Sequence, residues 1–233
     1  MIDGATRLVG LIGDPVSGSL SPRMQNAAFA ARALDWAYVP LPVDAERLAD
    51  AVRGLVALGF AGANVTAPHK EAVARLCDEA EEESVNTLVV RDGRVLGANT
   101  DREIVAGIAG TRVCLIGAGG AAAALRGALP GEVHVFSRRG EWPPDASGCD
   151  LVVNATPVRD DTLVELRADQ AVVDLAYSAD GSETALVAAA RAAGCEVIVD
   201  GYEALVRQGA ASFERWTGVP APVDVMRAAV RSA

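Results

Sequence analysis

Short apolar runs alternate along the chain with stretches in which apolar residues recur every three or four positions. RLVGLIG (7–13) reads as a strand, SPRMQNAAFAARAL (21–34) as a helix and WAYVPLPV (36–43) as a strand again. DAERLADAVRGLVAL (44–58) has helical spacing, and GANVT (62–66) is a strand. PHKEAVARL (68–76) is a helix with Pro68 at its first position. VNTLVV and RVLGAN flank Asp92-Gly93, the signature of a tight hairpin. A short helix follows Asp101. The pattern then restarts at residue 112 with a strand, a glycine turn and an alanine-rich helix. Four more strands follow, EVHVFS, DLVVNA, AVVDLAY and EVIVDG, with a helix over 182–194 between the last two. Beyond Gly201 the pattern is helical.

Such alternation predicts an α/β protein whose mainly parallel sheets are covered by helices. The restart divides it. The expected domain junction lies near residues 101–113.

Composition narrows the function. The 233 residues are 51% hydrophobic and carry a net charge of −10. A nucleic-acid binder would show a basic stripe, so none is expected; a local cationic pocket for an anion remains open. The uncharged run 54–68 is shorter than the ~20 apolar residues of a membrane helix, and the N-terminus lacks a signal-peptide pattern. Cys77, Cys114, Cys149 and Cys195 lie far apart without a CxxC, so no metal is expected, and each reads as a small core residue. The expectation is a cytoplasmic protein, monomer or homodimer, acting on a small molecule.

Gly117, Gly119, Gly120 and Ala121 belong to a GxGxxA turn that directly follows an apolar strand and opens a helix. That context suits a dinucleotide, because glycines admit the pyrophosphate to the backbone and the helix N-terminus supplies N–H donors. A glycine-rich helix start packed on a sheet is the plainer alternative. At the end of the next strand, where an NAD site usually holds a carboxylate, stand Ser137, Arg138 and Arg139. Arginines bind a 2′-phosphate that a carboxylate would repel, so NADP (NADPH) is the expected cofactor.

Two further features call for explanation. Ser21 suits an N-cap before Pro22, but capping leaves Ser19 without a reason; two hydroxyls at a helix start also make a carboxylate site. Lys70 falls in a first helical turn, where the macrodipole favours acids. A lysine there would have its ammonium disfavoured, which is useful for proton transfer near neutral pH. An exposed lysine, and an Asp101 that merely caps its own helix, are the bland readings.

GDPVSGSLSPRMQNAAF, NVTAPHK, SVNT, GANTD, GAGGAA, NAT, DLAY and LVRQGAASFERWTG occur in this order, and the set resembles the shikimate dehydrogenase family over nearly the whole chain. The resemblance implies an α/β substrate domain over residues 1–101, a shortened Rossmann-like NADP domain over 102–202, and C-terminal helices, 203–233, returning to the first. It implies reversible reduction of 3-dehydroshikimate to shikimate. Lys70 and Asp101 would be the catalytic pair. Ser19 and Ser21 would bind the carboxylate, and Thr66, Asn86 and Gln208 would bind ring hydroxyls or carboxylate. Tyr177 would lie in the active cleft, and Asn154 and Thr156 near the cofactor.

The chain departs from the family pattern at Gln25, usually His, at Arg102, usually Gly, and at Tyr202-Glu203-Ala204, usually LGM. A paralogue acting on quinate or another cyclic hydroxy acid, or a non-catalytic metabolite-binding homologue, therefore stay open. Residues are missing between Asp78 and Asn86, and more between Arg139 and Asp150. The remnant EWPPDASGC cannot form a full helix. It is expected to lie as a loop over the sheet edge with Trp142 packed against it.

Overall fold

The computed structural model describes residues 2–232 and divides into two compact units. One runs to Thr100 and includes Val206–Ser232; the other is Asp101–Leu205. Asp101 thus opens the second unit, where the sequence division left it at the end of the first.

The first unit contains β1 (Arg7–Gly13), α1 (Ser21–Ala31), β2 (Trp36–Pro42), α2 (Leu48–Ala57), β3 (Gly62–Val65), α3 (Lys70–Ala74), β4 (Glu79–Ala80), β5 (Thr87–Arg91) and β6 (Arg94–Ala98). Its sheet has the order β2-β1-β3-β5-β6-β4. β1 is parallel to β2 and β3, β4 is parallel to β6, and β5 is antiparallel to both its neighbours. The β5–β6 hairpin turns on Asp92 and Gly93, both at positive φ, as an Asp-Gly turn requires. α2 buries Leu48, Val52 and Leu55 at helical spacing, in one cluster with Ile12, Val65 and Leu88 of the sheet. α1 buries Met24, Ala28 and Phe29.

α3 corrects the sequence reading. It holds five residues and begins at Lys70, with His69 in the cap position; Pro68 stands outside it after a cis peptide bond. The helix field invoked at Lys70 is therefore that of little more than one turn.

The second unit contains β7 (Arg112–Ile116), α4 (Gly120–Ala128), β8 (Glu132–Phe136), β9 (Leu151–Asn154), β10 (Ala171–Asp174), α5 (Ala185–Ala193) and β11 (Glu196–Val199). α6 (Gly201–Thr217) starts here and ends in the first unit, followed by α7 (Val223–Arg231). All strands are parallel, in the order β11-β10-β9-β7-β8. Both faces are covered, as parallel sheets demand. Val113 and Leu115 pack with Ala122 and Leu125 of α4; Cys114 and Ile116 pack with Leu186 and Ala190 of α5.

No helix joins β8 to β9. The loop fills its place with Ala146 and Cys149, which enter the core beside Cys114 and Ile116. Loop carbonyls that a helix would have paired are met by two side chains. Gln170 Nε2 donates to the carbonyls of Ala146 and Cys149 at 2.7 and 3.0 Å, and Arg167 donates to that of Ser147 at 2.7 Å. Trp142 does not pack on the sheet as expected. It is 39% exposed, with the Arg138 guanidinium 5.5 Å from its ring centroid.

Asp150 ties this loop to the start of β7. Its carboxylate accepts hydrogen bonds from the Thr111 hydroxyl and from the N–H groups of Thr111 and Arg112. These bonds, the Thr111 hydroxyl foremost, lower its pKa from the ordinary 3.8 to about 2. A carboxylate with a lowered folded pKa stabilises the fold above its unfolded pKa and ceases to do so as pH falls through the folded one. The stability difference between wild type and Asp150→Asn should therefore be full above about pH 4 and shrink toward pH 2. Urea unfolding at pH 6 and pH 2.5 checks this; a gap independent of pH would contradict it.

Candidate active site

The first unit gathers Thr66, Lys70 and Asn86 near the C-terminal ends of β1 and β3, and Ser19 and Ser21 follow β1 at the start of α1. Parallel register aligns Ile12 with Val65, so the residues after both strands emerge side by side. Thr66 N–H donates to the Ile12 carbonyl at 2.9 Å, and the Thr66 methyl lies where a β-carbon on Gly13 would sit. Only glycine lets these two strand ends approach so closely. β5 runs the other way, so Asn86, just before it, returns to the same edge: its carbonyl accepts from Val65 N–H at 2.8 Å. Val85 N–H donates to the Lys70 carbonyl at 2.9 Å, which ties the Lys70 turn to the residue before Asn86. His69, 1% exposed, donates from Nε2 to the Val43 carbonyl at 2.6 Å and anchors the same turn from the β2 side.

Ser21 is not the cap expected of it: it is the first residue of α1, 6% exposed, with Leu20 in the cap position. Its N–H donates to Ser19 Oγ at 3.2 Å, which gives Ser19 a local turn to close.

Asn86 is held by a buried polar network. Its Oδ1 accepts from Thr100 N–H at 2.8 Å, Thr87 Oγ1 at 2.9 Å and Thr100 Oγ1 at 3.1 Å. Three donors saturate that oxygen, so whatever else the side chain binds, it binds as a donor through Nδ2. Ser212 of α6, fully buried, lies 2.9 Å from Thr87 Oγ1 and 3.2 Å from Thr100 Oγ1, and accepts from Asn64 Nδ2 at 2.9 Å. It donates to the Gln208 carbonyl at 3.1 Å, placing Gln208 one helical turn from the network. Tyr38 closes the far end, donating to Asn64 Oδ1 at 2.9 Å. Sequence reasoning did not single out Asn64, Thr87, Thr100, Ser212 and Tyr38 as site residues. Asn64 carried a usable signal, since a polar side chain within a fully buried strand must find partners.

In the second unit, Asp101 is 4% exposed and opens a 3₁₀ turn, Asp101–Val105, whose Ile104 and Val105 pack with Leu125.

The cofactor residues surround the end of β7. Gly117 has φ 129°, and a β-carbon there would lie 3.2 Å from the Ala155 carbonyl. Gly119 caps α4, and Gly120 and Ala121 begin it. Gly117 N–H donates to the Phe136 carbonyl at 2.8 Å, which sets Ser137, Arg138 and Arg139 beside the turn. The bare turn, the helix start and the lack of a carboxylate at 137–139 fit a dinucleotide carrying a 2′-phosphate.

Asn154 is completely buried. Its Oδ1 accepts from Thr156 N–H and Oγ1 at 2.9 and 2.7 Å, and its Nδ2 donates to Asp174 at 2.8 Å. It therefore shapes the turn from behind, and Thr156 is the half-buried member. Asp174 also accepts from Thr184 and Ala176 N–H; burial nonetheless pushes its pKa up. Tyr177 is half-buried with its ring 5.9 Å from that of Tyr202, whose hydroxyl donates to the Ser178 carbonyl. The departure at Tyr202 is thus in contact with a candidate site residue. A cavity of about 540 Å³ in this unit is walled by Pro157, Arg159, Ser178, Glu183 and Thr184 and excludes the glycine turn, Arg138 and Arg139.

The cysteines are free thiols; burial pushes Cys114 up to about 12 and Cys77 to about 11, which suits inert packing. Among the described residues no cluster of His, Cys, Asp and Glu could hold a metal, and no helix is long and apolar enough to cross a membrane.

Comparison with known proteins bears on both units. Residues 11–88 match the shikimate dehydrogenase substrate binding domain, and residues 201–231 match the shikimate 5′-dehydrogenase C-terminal domain. The shikimate dehydrogenase (NADP(+)) of Rubrobacter xylanophilus is 41% identical, over 98% of this chain and 97% of that protein. That alignment spans 281 positions, so the relative carries residues that this chain of 233 lacks. A solved shikimate dehydrogenase in complex with NADP+ superposes with a TM-score of 0.88 at 32% identity, covering 99% of this chain and 96% of the other. That of Thermus thermophilus, in complex with NADP(H) and shikimate, gives 0.83 at 28% identity over 97% and 99%.

The polar network yields a test of its own. Ser212→Ala removes the acceptor of Asn64 Nδ2 and the donor to the Gln208 carbonyl, and groups left unsatisfied in a buried site cost about 1–3 kcal/mol. The urea midpoint should fall accordingly, and Ser212→Thr should recover less than the wild type because its methyl must find room in a packed core. An unchanged midpoint in Ser212→Ala would mean that the remaining hydroxyls re-pair without loss.

Proposed function

The chain belongs to the shikimate dehydrogenase family, and we propose that it is an NADP-dependent shikimate dehydrogenase interconverting 3-dehydroshikimate and shikimate. The observation that supports this most directly is the meeting of Thr66, Lys70 and Asn86 at the C-terminal ends of the strands, held by Gly13, His69 and the Asn86 network. The glycine turn and the arginines after β8 would hold NADP, which when bound supplies or accepts the hydride.

Lys70 donates a proton to the carbonyl oxygen in reduction and removes it from the hydroxyl in oxidation. Asp101 orients the amine and passes the proton on. A lysine and a buried carboxylate can share this work because general acid–base catalysis needs one group to change protonation and another to keep it in place. Ser19 and Ser21 hold the carboxylate of the substrate through hydroxyls. Asn86 donates through Nδ2 to a ring oxygen, and Thr66 and Gln208 complete the polar wall. Tyr177 is the second unit's contribution to substrate binding, and Thr156, shaped by Asn154, serves the cofactor. The protein would work in the cytoplasm, as monomer or homodimer, on a small-molecule substrate alone.

A second reading, a paralogue acting on quinate or a related cyclic hydroxy acid, is favoured by Gln25. Its Nε2 donates to the Gly209 carbonyl, next to Gln208, but its buried Oε1 meets no donor among the described residues. NADPH absorbance with 3-dehydroshikimate, and NADP+ reduction with shikimate and with quinate, distinguish the two; inactivity on all three substrates would leave only a binding role.

Two variants test the roles. Lys70→Ala should lower kcat about 10²–10⁴-fold with little change in KM. Near-normal turnover would remove Lys70 from the chemistry. Ser19→Ala with Ser21→Ala should act mainly on KM, because a carboxylate is held alike in ground and transition states. A loss confined to kcat would contradict that.

A further inference from the structure

The shortened loop after β8 contains a large aromatic residue with no evident packing duty. Ala146 and Cys149 make the loop's contribution to the core, whereas Trp142 stays 39% exposed. What Trp142 does contact is Arg138, whose guanidinium carbon lies 5.5 Å from the ring centroid, within cation–π range.

The backbone brings the pair together. Gly140 N–H donates to the Ser137 carbonyl and Ser137 N–H to the Glu141 carbonyl, each at 2.9 Å. This closed turn reverses the chain directly after β8 and returns Trp142 to the side of Arg138. β8 is the outermost strand of its sheet. A doubly wound domain usually continues beyond its second strand with a helix and a third strand. Here neither exists, so an arginine at the end of β8 lacks the neighbouring element that would otherwise limit its rotamers.

We infer that Trp142 is a positioning residue for Arg138 and holds its guanidinium ready for the 2′-phosphate of the dinucleotide. Arginine and lysine side chains lose considerable rotamer freedom when they grip an anion. A ring beneath the guanidinium removes part of that freedom in advance and leaves its N–H edge available, since stacking uses the flat face and hydrogen bonding uses the rim. Trp142 therefore contributes to the choice of NADP over NAD without touching the phosphate. The inference rests on the proposed reading that Arg138 binds that phosphate.

The test uses the whole protein and measures binding without turnover. NADP+ is titrated by calorimetry, and NAD+ by displacement of NADP+, on the wild type, Trp142→Ala, Trp142→Phe, Arg138→Gln and the double variant Trp142→Ala with Arg138→Gln. Thermal midpoints verify that each is folded. Trp142→Ala should weaken NADP+ about two- to fivefold and leave NAD+ unchanged, and Trp142→Phe should retain most of the affinity. In the Arg138→Gln background, removing Trp142 should change nothing further. If Arg138→Gln weakens NADP+ and Trp142→Ala does not, the inference fails and the phosphate reading survives. If Trp142→Ala weakens both dinucleotides equally, Trp142 serves the adenosine or the loop, and the inference fails likewise. If Arg138→Gln leaves NADP+ unaffected, the phosphate reading itself is wrong, and the inference falls with it.

Discussion

One buried oxygen, Oδ1 of Asn86, organises the first unit's site. Three hydrogen bonds converge on it from Thr87 and Thr100. Thr87 links it to Asn64, and Asn64 to Ser212 on α6 and to Tyr38, so strands β2, β3 and β5, the segment after β6, and α6 are joined in one polar cluster. A network of this kind fixes a unique arrangement because each partly satisfied alternative would strand a buried polar atom. It also decides the chemistry of Asn86, whose amide is constrained to act as a donor. The helical turn carrying Gln208 takes its position from the same cluster.

The architecture was largely legible before any coordinates. Apolar periods of two and of three to four distinguish strands from helices over most of the chain, and the glycine turn announces itself by its neighbours on both sides. Those signals are local, and so are the interactions that produce them. Elsewhere the outcome depended on contacts that a linear pattern does not carry. Ser21 has the residue type and the following proline of an N-cap, yet Ser19 Oγ takes the N–H instead, because the segment leaving β1 brings it there. Pro68 suits a helix start, but the anchoring of His69 to Val43 delays the helix to Lys70. Candidate ligand residues could be named from motifs; what steadies them could not, because Ser212 and Tyr38 are remote from Asn86 in sequence.

The loop after β8 is instructive for the same reason. Its composition ruled out a helix, but hydrophobicity alone pointed to Trp142 as the residue that would cover the sheet. Smaller residues did so. Ala146 and Cys149 enter the core beneath carbonyls that Gln170 and Arg167 hold from another connection, and Trp142, part exposed, meets a cation instead. Volume and hydrogen-bond supply, rather than apolar character, selected which side chain went inside.

Leaving out a strand also changes which backbone is bare. With nothing beyond it, β8 exposes its outer row of N–H and C=O groups, the kind of border on which foreign strands grow into aggregates. β8 is only five residues long, and one of its faces carries Glu132 and His134, both exposed. An added strand would have to desolvate that polar face for few backbone bonds in return. The compact sheet thus carries its own safeguard against self-assembly, and colloidal behaviour at high concentration should hinge on those two side chains more than on the loop that replaced the missing strand.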